Sequence, residues 1–327
     1  MTKPDMTNRD IPDSALPGHL DGGSTVVAPV SLVRAGIALV AKPMGVTSFQ
    51  ALGPLKRIMA TTRLGHTGTL DSFASGLLVI LVGNLTRLGA FFTALDKRYV
   101  ARVRFGEETA TLDPEGEIVA RAPLPTLAAI EAALPAFRGP IMQAPPAYSA
   151  VHVDGERASD RARRGEALVM KERPVTIHEL ELLAYEGGDA IISVRCSSGT
   201  YIRSLARDLA KAAGSVARLE ALERSWVGPF SLAQARPVGQ FSGPADLLPF
   251  DPAAAIGLGL SVHVLAKGRE EAFRNGQRLA PAWLSPFDGS ALAAESPLAV
   301  FSEAGSFLGV LGVTDSELRY MMVLGAP

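Results

Sequence analysis

Residues 63–71, RLGHTGTLD, hold the sharpest chemical candidates in the chain. Asp71 supplies a carboxylate and His66 an imidazole five positions earlier. Two glycines and two threonines between Arg63 and Asp71 let the backbone bend closely around a ligand. The apolar run that follows at residues 77–82 (LLVILV) would anchor the loop on a buried strand, a common support for catalytic groups. A carboxylate so placed can serve as nucleophile, as general base or as a plain helix cap. On spacing alone the cap is the better reading of Asp71, and His66 reads as a loop histidine.

Other catalytic signatures are missing. The sequence has no P-loop, no G-x-G-x-x-G and no G-x-S-x-G elbow. Its five histidines are scattered without metal-ligand spacing, so neither a metal nor a cofactor is expected. The single cysteine, Cys196, lies in the apolar stretch AIISVRC and reads as a buried structural thiol. One cysteine excludes a disulfide framework, and a reducing cytoplasm fits. No apolar run is long enough to cross a bilayer, and residues 1–24 lack a secretory signature.

The net charge of −1 hides an asymmetry. Residues 34–245 carry 25 basic and 20 acidic groups, whereas residues 246–327 carry 5 and 9. A polyanion would dock on the middle segment.

The elements that must position these groups are legible as patterns. Residues 36–42 (GIALVAK) read as a strand, and Thr47 or Ser48 caps a helix running toward Met59, with Pro54 as a kink. Residues 65–71 read as a loop by composition, and Asn84 as the cap of a helix through Leu95. Residues 98–105 alternate by twos, placing Tyr99, Ala101, Val103 and Phe105 on one face and Arg102 and Arg104 on the other. Residues 126–137 read as a helix, 174–184 and 190–196 as strands, and 201–213 as an amphipathic helix stopped by Gly214. Strands and helices interleave without sustained βαβ spacing, so the expected class is α+β with a mixed, largely antiparallel central sheet and flanking helices. Three stretches are expected: a flexible extension over residues 1–33, a catalytic domain over 34–245, and a small β-rich domain over 253–327 beyond a Gly/Pro-rich linker.

The loop at Asp71 resembles the active-site motif of the bacterial tRNA pseudouridine synthase B family, G-H-T-G-x-L-D before a small-residue turn and an apolar strand. Other segments resemble that family in the same order. They are residues 42–48 (KPMGVTS), 96–99 (DKRY), 145–150 (PPAYSA), 173–175 (RPV), 198–203 (SGTYIR) and 219–227 (LEALERSWV). The resemblance covers roughly residues 36–327, and so many ordered motifs are negligible by chance. It implies the pseudouridine synthase fold with a PUA-like C-terminal domain. It also implies isomerisation of a uridine to pseudouridine in the T loop of tRNA, at position 55, after base flipping. The partner is then the T arm of tRNA, and nothing demands more than a monomer.

The resemblance assigns roles residue by residue. Asp71 matches the nucleophile; whether it attacks the sugar, adds to the base or first acts as a base is left open. Arg203 matches the arginine that orients that carboxylate and holds its pKa down. Tyr99 matches the ring that packs on the target base, with a general-base role also open to its hydroxyl. Tyr201 and Leu222 match residues lining the uracil pocket, and His66 matches a histidine contacting the bent RNA. Lys42 and Pro43 form a supporting turn, Lys42 bonding to the active-site loop. Arg161, Arg163 and Arg164 lie in an insertion that grips the T arm, and with Lys97 they are candidate phosphate contacts. The chain departs from the pattern at Ala41, where many relatives place an aspartate, and lacks the aromatics common near residues 160–164. The competing reading is a tRNA-binding folding chaperone without catalysis, which would not require Asp71.

Overall fold

The alternating and apolar runs assemble into a nine-stranded sheet. The computed structural model describes residues 35–286, 297–314 and 317–324. The extension expected over residues 1–33 lies outside the described residues. The chain opens with β1 (Gly36–Lys42), α1 (Ser48–Ile58), β2 (Leu64–His66), β3 (Ser75–Val82), α2 (Gly89–Ala94) and β4 (Lys97–Phe105). A small hairpin, β5 (Glu107–Thr109) and β6 (Ile118–Arg121), leads to α3 (Leu127–Ala133) and β7 (Gly139–Gln143). The insertion holds β8 (His152–Val153), β9 (Glu156–Arg157) and α4 (Ala158–Arg163). Then follow β10 (Arg173–Glu186), β11 (Asp189–Cys196), α5 (Ile202–Ala212), β12 (Ala217–Val227) and β13 (Phe230–Ser231).

The sheet follows the path β1-β3-β12-β4-β11-β10-β7, with β2 added on β3 and β13 on β12. All its pairings are antiparallel except β12 with β3, so it is mixed and largely antiparallel. β3 is buried over nearly its whole length, as its unbroken apolar run requires, because α1 covers one face and the C-terminal region the other. β4 alternates buried and exposed, with Tyr99, Ala101, Val103 and Phe105 facing the core under α5 and α3. In α5, Leu205 and Leu209 are wholly buried; each contributes about 2 kcal/mol of transfer free energy.

Two expectations fail locally. Asn84 does not cap a helix: residues Gly83–Leu88 form a 3-10 turn before α2, and the Asn84 amide oxygen accepts from Arg63 instead. The loop over 65–71 begins as a short strand, because Leu64–His66 adds to the edge of β3.

The C-terminal region holds α6 (Pro252–Gly257), β14 (Ser261–Leu265), α7 (Glu270–Arg274), β15 (Leu284–Ser285), β16 (Leu298–Phe301), β17 (Phe307–Thr314) and β18 (Glu317–Val323). They form a five-stranded sheet in the order β15-β14-β16-β17-β18. The Gly/Pro-rich stretch before it is fixed to β1. The Ile37 and Leu248 backbones exchange two hydrogen bonds of 2.9 Å, and Phe250 packs with Phe92, Phe301 and Phe307.

Candidate active site

Four segments converge on a cavity of about 310 Å³ over the central strands of the large sheet. The 68–71 loop contributes Asp71, β4 contributes Tyr99, and the N-terminal end of α5 contributes Tyr201 and Arg203. Leu222 and Arg224 of β12 complete the wall. Five of the residues named from the sequence, Asp71, Tyr99, Tyr201, Arg203 and Leu222, therefore meet in one cavity. At about 300 Å³ it is of the size that takes small-molecule groups.

The loop is held from both sides. The Ser48 hydroxyl, at the start of α1, accepts from the Leu70 amide at 2.8 Å and donates to the Leu70 carbonyl at 3.0 Å. The Gly45 amide donates to the Ser72 carbonyl at 2.8 Å, and the Ser72 hydroxyl donates to Glu115. Thr47 caps α1 through a capping box with Gln50, which fixes Ser48 at its post. Lys42 does not reach the loop: its buried amine donates to Pro43 and Val46 of its own turn, at 2.9 and 2.6 Å. Burial lowers the Lys42 amine to about 8.

Arg203 carries the charge geometry. Its side chain is only 5% exposed, and Nη1 and Nη2 make four hydrogen bonds while Nε stands in ion-pair contact with Asp71. Nε lies 3.0 Å from Asp71 Oδ2, and Nη2 donates to Asp71 Oδ1 at 3.3 Å and to the Tyr148 carbonyl at 3.0 Å. Nη1 donates to the Thr111 carbonyl at 2.8 Å and to Asp113 Oδ2 at 3.1 Å. A planar fork can serve two carboxylates this way; a lysine cannot.

Asp113 is a site residue that sequence reasoning missed, because T-L-D-P-E-G reads as a turn. Its other oxygen accepts from the Thr111 hydroxyl and, at 3.1 Å, from the Glu115 amide. Leu112 between them has φ +61°, a left-handed conformation that costs about 1–2 kcal/mol. That twist turns the Thr111 carbonyl and the Asp113 carboxylate toward the same nitrogen. The Leu219 amide holds it by donating to the Leu112 carbonyl at 3.0 Å.

The Asp71 carboxyl sits above its ordinary value, not below it. Burial contributes most; Arg203 pulls down as expected, while Asp113 and Glu115 push up again. Arg203 therefore orients the carboxylate more than it acidifies it. Tyr99 and Tyr201 are likewise raised, chiefly by burial, so both are neutral phenols at pH 7. Leu222 packs in the core and lines the cavity at once.

His66 stands on β2, just before the loop and outside the cavity lining. Its ring is partly buried, Nδ1 has no hydrogen-bond partner, and burial together with Arg224 lowers its pKa, so it is neutral at pH 7. Lys97 differs from expectation. It lines the cavity, is 6% exposed, and spends its amine on the Thr93 and Leu95 carbonyls, which is no place for a backbone phosphate.

Arg161, Arg163 and Arg164 lie in the insertion, on and just after α4, each paired within the protein. Arg161 meets Asp154 and Glu166, Arg164 meets Glu156 and Glu166, and Arg163 meets Asp160. Arg98, Arg102 and Arg104 on β4 are also paired, Arg98 with Glu179 and the other two with Asp189. Cys196 is buried, and its thiol is pushed up to about 11 by burial. Among the described residues no group of three or more His, Cys, Asp or Glu is placed to hold a metal ion, and no helix is long and apolar enough to cross a membrane.

Comparison with known proteins places this arrangement. Residues 56–202 match the family described as TruB family pseudouridylate synthase (N terminal domain). The tRNA pseudouridine synthase B of Treponema pallidum (strain Nichols) is 47% identical over 224 residues, 61% of each chain. This chain thus spans 61% of the length of that relative. The tRNA pseudouridine synthase B of Arthrobacter sp. (strain FB24) is 39% identical over 296 residues, 88% of this chain and 96% of the relative. In fold, the chain resembles a solved Cbf5-Nop10-Gar1 complex, with TM-score 0.65 and 21% identity over 88% of this chain and 84% of that one. It resembles equally an H/ACA RNP bound to a substrate RNA containing 2′-deoxyuridine, with TM-score 0.65 and 19% identity over 89% and 85%. The sheet is that of the pseudouridine synthase fold, with a β-rich C-terminal domain beside it. On the strength of the near full-length match to the Arthrobacter relative, the chain belongs to the tRNA pseudouridine synthase B (TruB) family.

Proposed function

We propose that the chain isomerises a uridine to pseudouridine in the T loop of tRNA, at position 55, with Asp71 as nucleophile. The observation that carries this reading is the Asp71–Arg203 ion pair at 3.0 Å, set in a cavity whose other walls are Tyr99, Tyr201 and Leu222. A binding module has no need of a half-buried carboxylate oriented by a buried, doubly paired arginine. A site that breaks and remakes a glycosidic bond does need it.

In the isomerisation the C1′–N1 bond breaks, C1′ joins C5, the C5 proton leaves and N1 gains a proton. No atom is added and no electrons are gained or lost overall, because the formal oxidation changes at C1′ and C5 cancel, so the reading names no cofactor. The uridine must first leave the stack, at a cost of a few kcal/mol. Stacking on the Tyr99 ring returns about 1–3 kcal/mol. His66, neutral and on the strand leading into the loop, is assigned to the vacated space in the bent RNA. Arg161, Arg163 and Arg164 are assigned to the T-arm phosphates, which would displace their carboxylate partners on binding. Residues 34–245 form the catalytic part and 253–327 the PUA-like part of this reading. One chain holds every residue the chemistry uses, which supports a monomer, and the cytoplasm is where its tRNA substrate is found.

The direct test is to incubate the protein with a T-arm stem-loop transcript and with whole tRNA, then map pseudouridine by carbodiimide labelling. One modified T-loop uridine is expected. Unmodified RNA that nevertheless anneals faster would favour the chaperone and overturn the assignment.

A further inference from the structure

Arg224 is a buried guanidinium that pairs with no carboxylate among the described residues. Taking an unpaired charge out of water is costly, so a site that keeps one uses it. Its partners show how. Nε donates to the Leu77 carbonyl at 2.8 Å, Nη2 to the Gly68 carbonyl at 3.1 Å and Nη1 to the Thr69 carbonyl at 3.3 Å. Its cross-strand partner is Tyr99, whose side chain therefore shares its face of the sheet and lines the same cavity. One cation therefore holds the backbone on both sides of Asp71 and stands beside the ring assigned to the target base.

The backbone repeats the arrangement. On β12, Arg224 is in register with Tyr99 of β4 on one side and with Gly76 of β3 on the other. The strands approach so closely at Gly76 that a Cβ there would stand 2.4 Å from the Arg224 carbonyl oxygen. At Gly68 a Cβ would stand 3.4 Å from Arg224 Nη1. The two glycines flanking Asp71 thus admit Arg224, and Arg224 fills the space between loop and ring.

We propose that Arg224 is a positioning residue: it sets the separation between the Asp71 carboxylate and the Tyr99 ring, and so the fit of the flipped uridine between them. It acts through those two residues and need not touch the substrate. The inference rests on the pseudouridine synthase reading above.

The test uses the full chain with Arg224→Lys, Arg224→Met, Tyr99→Phe and the Arg224→Lys/Tyr99→Phe pair. Single-turnover rates and dissociation constants are measured on the T-arm stem-loop, with melting temperatures and deuterium uptake over residues 64–77. Arg224→Lys keeps the charge and loses the fork, so it serves if the methionine variant does not fold. The rate is expected to fall on the order of 100-fold, the loss that a misplacement near 1 Å brings, while the dissociation constant moves less than about threefold. Combined with Tyr99→Phe, the loss should be smaller than the product of the single losses. A folded Arg224→Lys or Arg224→Met with unchanged rate overturns the proposal, and so do strictly multiplicative losses or a loss confined to binding. If wild type turns over no RNA, the functional reading fails. Increased uptake over residues 64–77 in Arg224→Lys would then still show that Arg224 positions the loop, and unchanged uptake would show that it does not.

Discussion

Arg203 and Asp113 form a buried ion pair at 3.1 Å that faces away from the cavity, behind the pair Arg203 makes with Asp71 at 3.0 Å. The arginine is thereby fixed before it orients anything. Helix α5 delivers it, the left-handed Leu112 presents its rear anchors, and what remains of the fork points at Asp71.

Removing the fork should separate chemistry from binding. Arg203→Ala is expected to lower turnover of a T-arm stem-loop by on the order of 100-fold or more, with tRNA affinity largely kept. It also leaves Asp113 buried without its partner, a loss of about 3–5 kcal/mol in denaturant unfolding. Arg203→Lys should recover part of the stability and little of the rate. Equal losses of affinity and turnover in Arg203→Ala would make the residue a docking contact.

The rate should fall on the acid side at a pH above the ordinary carboxylate range. The ionised form of Asp71 reacts, burial raises its pKa, and the nucleophile is lost as pH falls through that raised value. Asp113 is a like charge that adds to the rise, so Asp113→Asn should move the acid limb to lower pH while lowering the plateau rate, because Arg203 loses an anchor. The stability sign is opposite to the usual aspartate case. A folded value above the unfolded one makes the native state gain from protonation, so this group's contribution fades as pH rises through the folded value. A pH–rate profile of both proteins tests the shift; a limb that stays put would remove Asp113 from the electrostatics of Asp71.

Glycine is required at Gly76 and merely comfortable at Gly45. Gly76 has φ +111° and no room for a Cβ against the Arg224 backbone, so Gly76→Ala should cost about 3 kcal/mol or more. Gly45 has φ +77° and open space around it, so Gly45→Ala should cost about 1–2 kcal/mol. Urea midpoints of the two variants decide this, and equal costs would contradict the close approach of β3 and β12.

Glu166 shields two arginines proposed to hold RNA phosphates, Arg161 and Arg164. Freeing them with Glu166→Gln should tighten tRNA binding. The log–log salt dependence should steepen by roughly one unit for each further phosphate that the protein neutralises. Unchanged affinity and slope would place the insertion away from the RNA.

Much of the fold could be read from pattern. β1 matches its expected bounds, β4 alternates as its residues do, and α1 begins at the cap that Thr47 offers. What escaped depends on pairings distant in sequence. Nothing local in T-L-D-P-E-G tells Asp113 that Arg203, 90 positions on, will need a second carboxylate. Arg224 sits in a strand among polar neighbours, and its burial comes from the flanking strands β3 and β4 together with the 68–69 loop that covers its guanidinium. Lys97 stands beside Arg98 in a basic run, yet the alternation of β4 that exposes Arg98 is the same alternation that buries Lys97. In the site, residue types marked the loop; the convergence of Asp71, Tyr99, Tyr201, Arg203 and Leu222 needed the fold.

The central claim is that Asp71 is the nucleophile, and the most direct measurement compares wild type with Asp71→Asn on a T-arm stem-loop carrying tritium at uridine C5. Asparagine keeps the shape and loses the charge, so binding and melting temperature should change little. Wild type is expected to release tritium from one T-loop uridine, and the variant to release none. Tritium release by a folded Asp71→Asn protein would contradict the account.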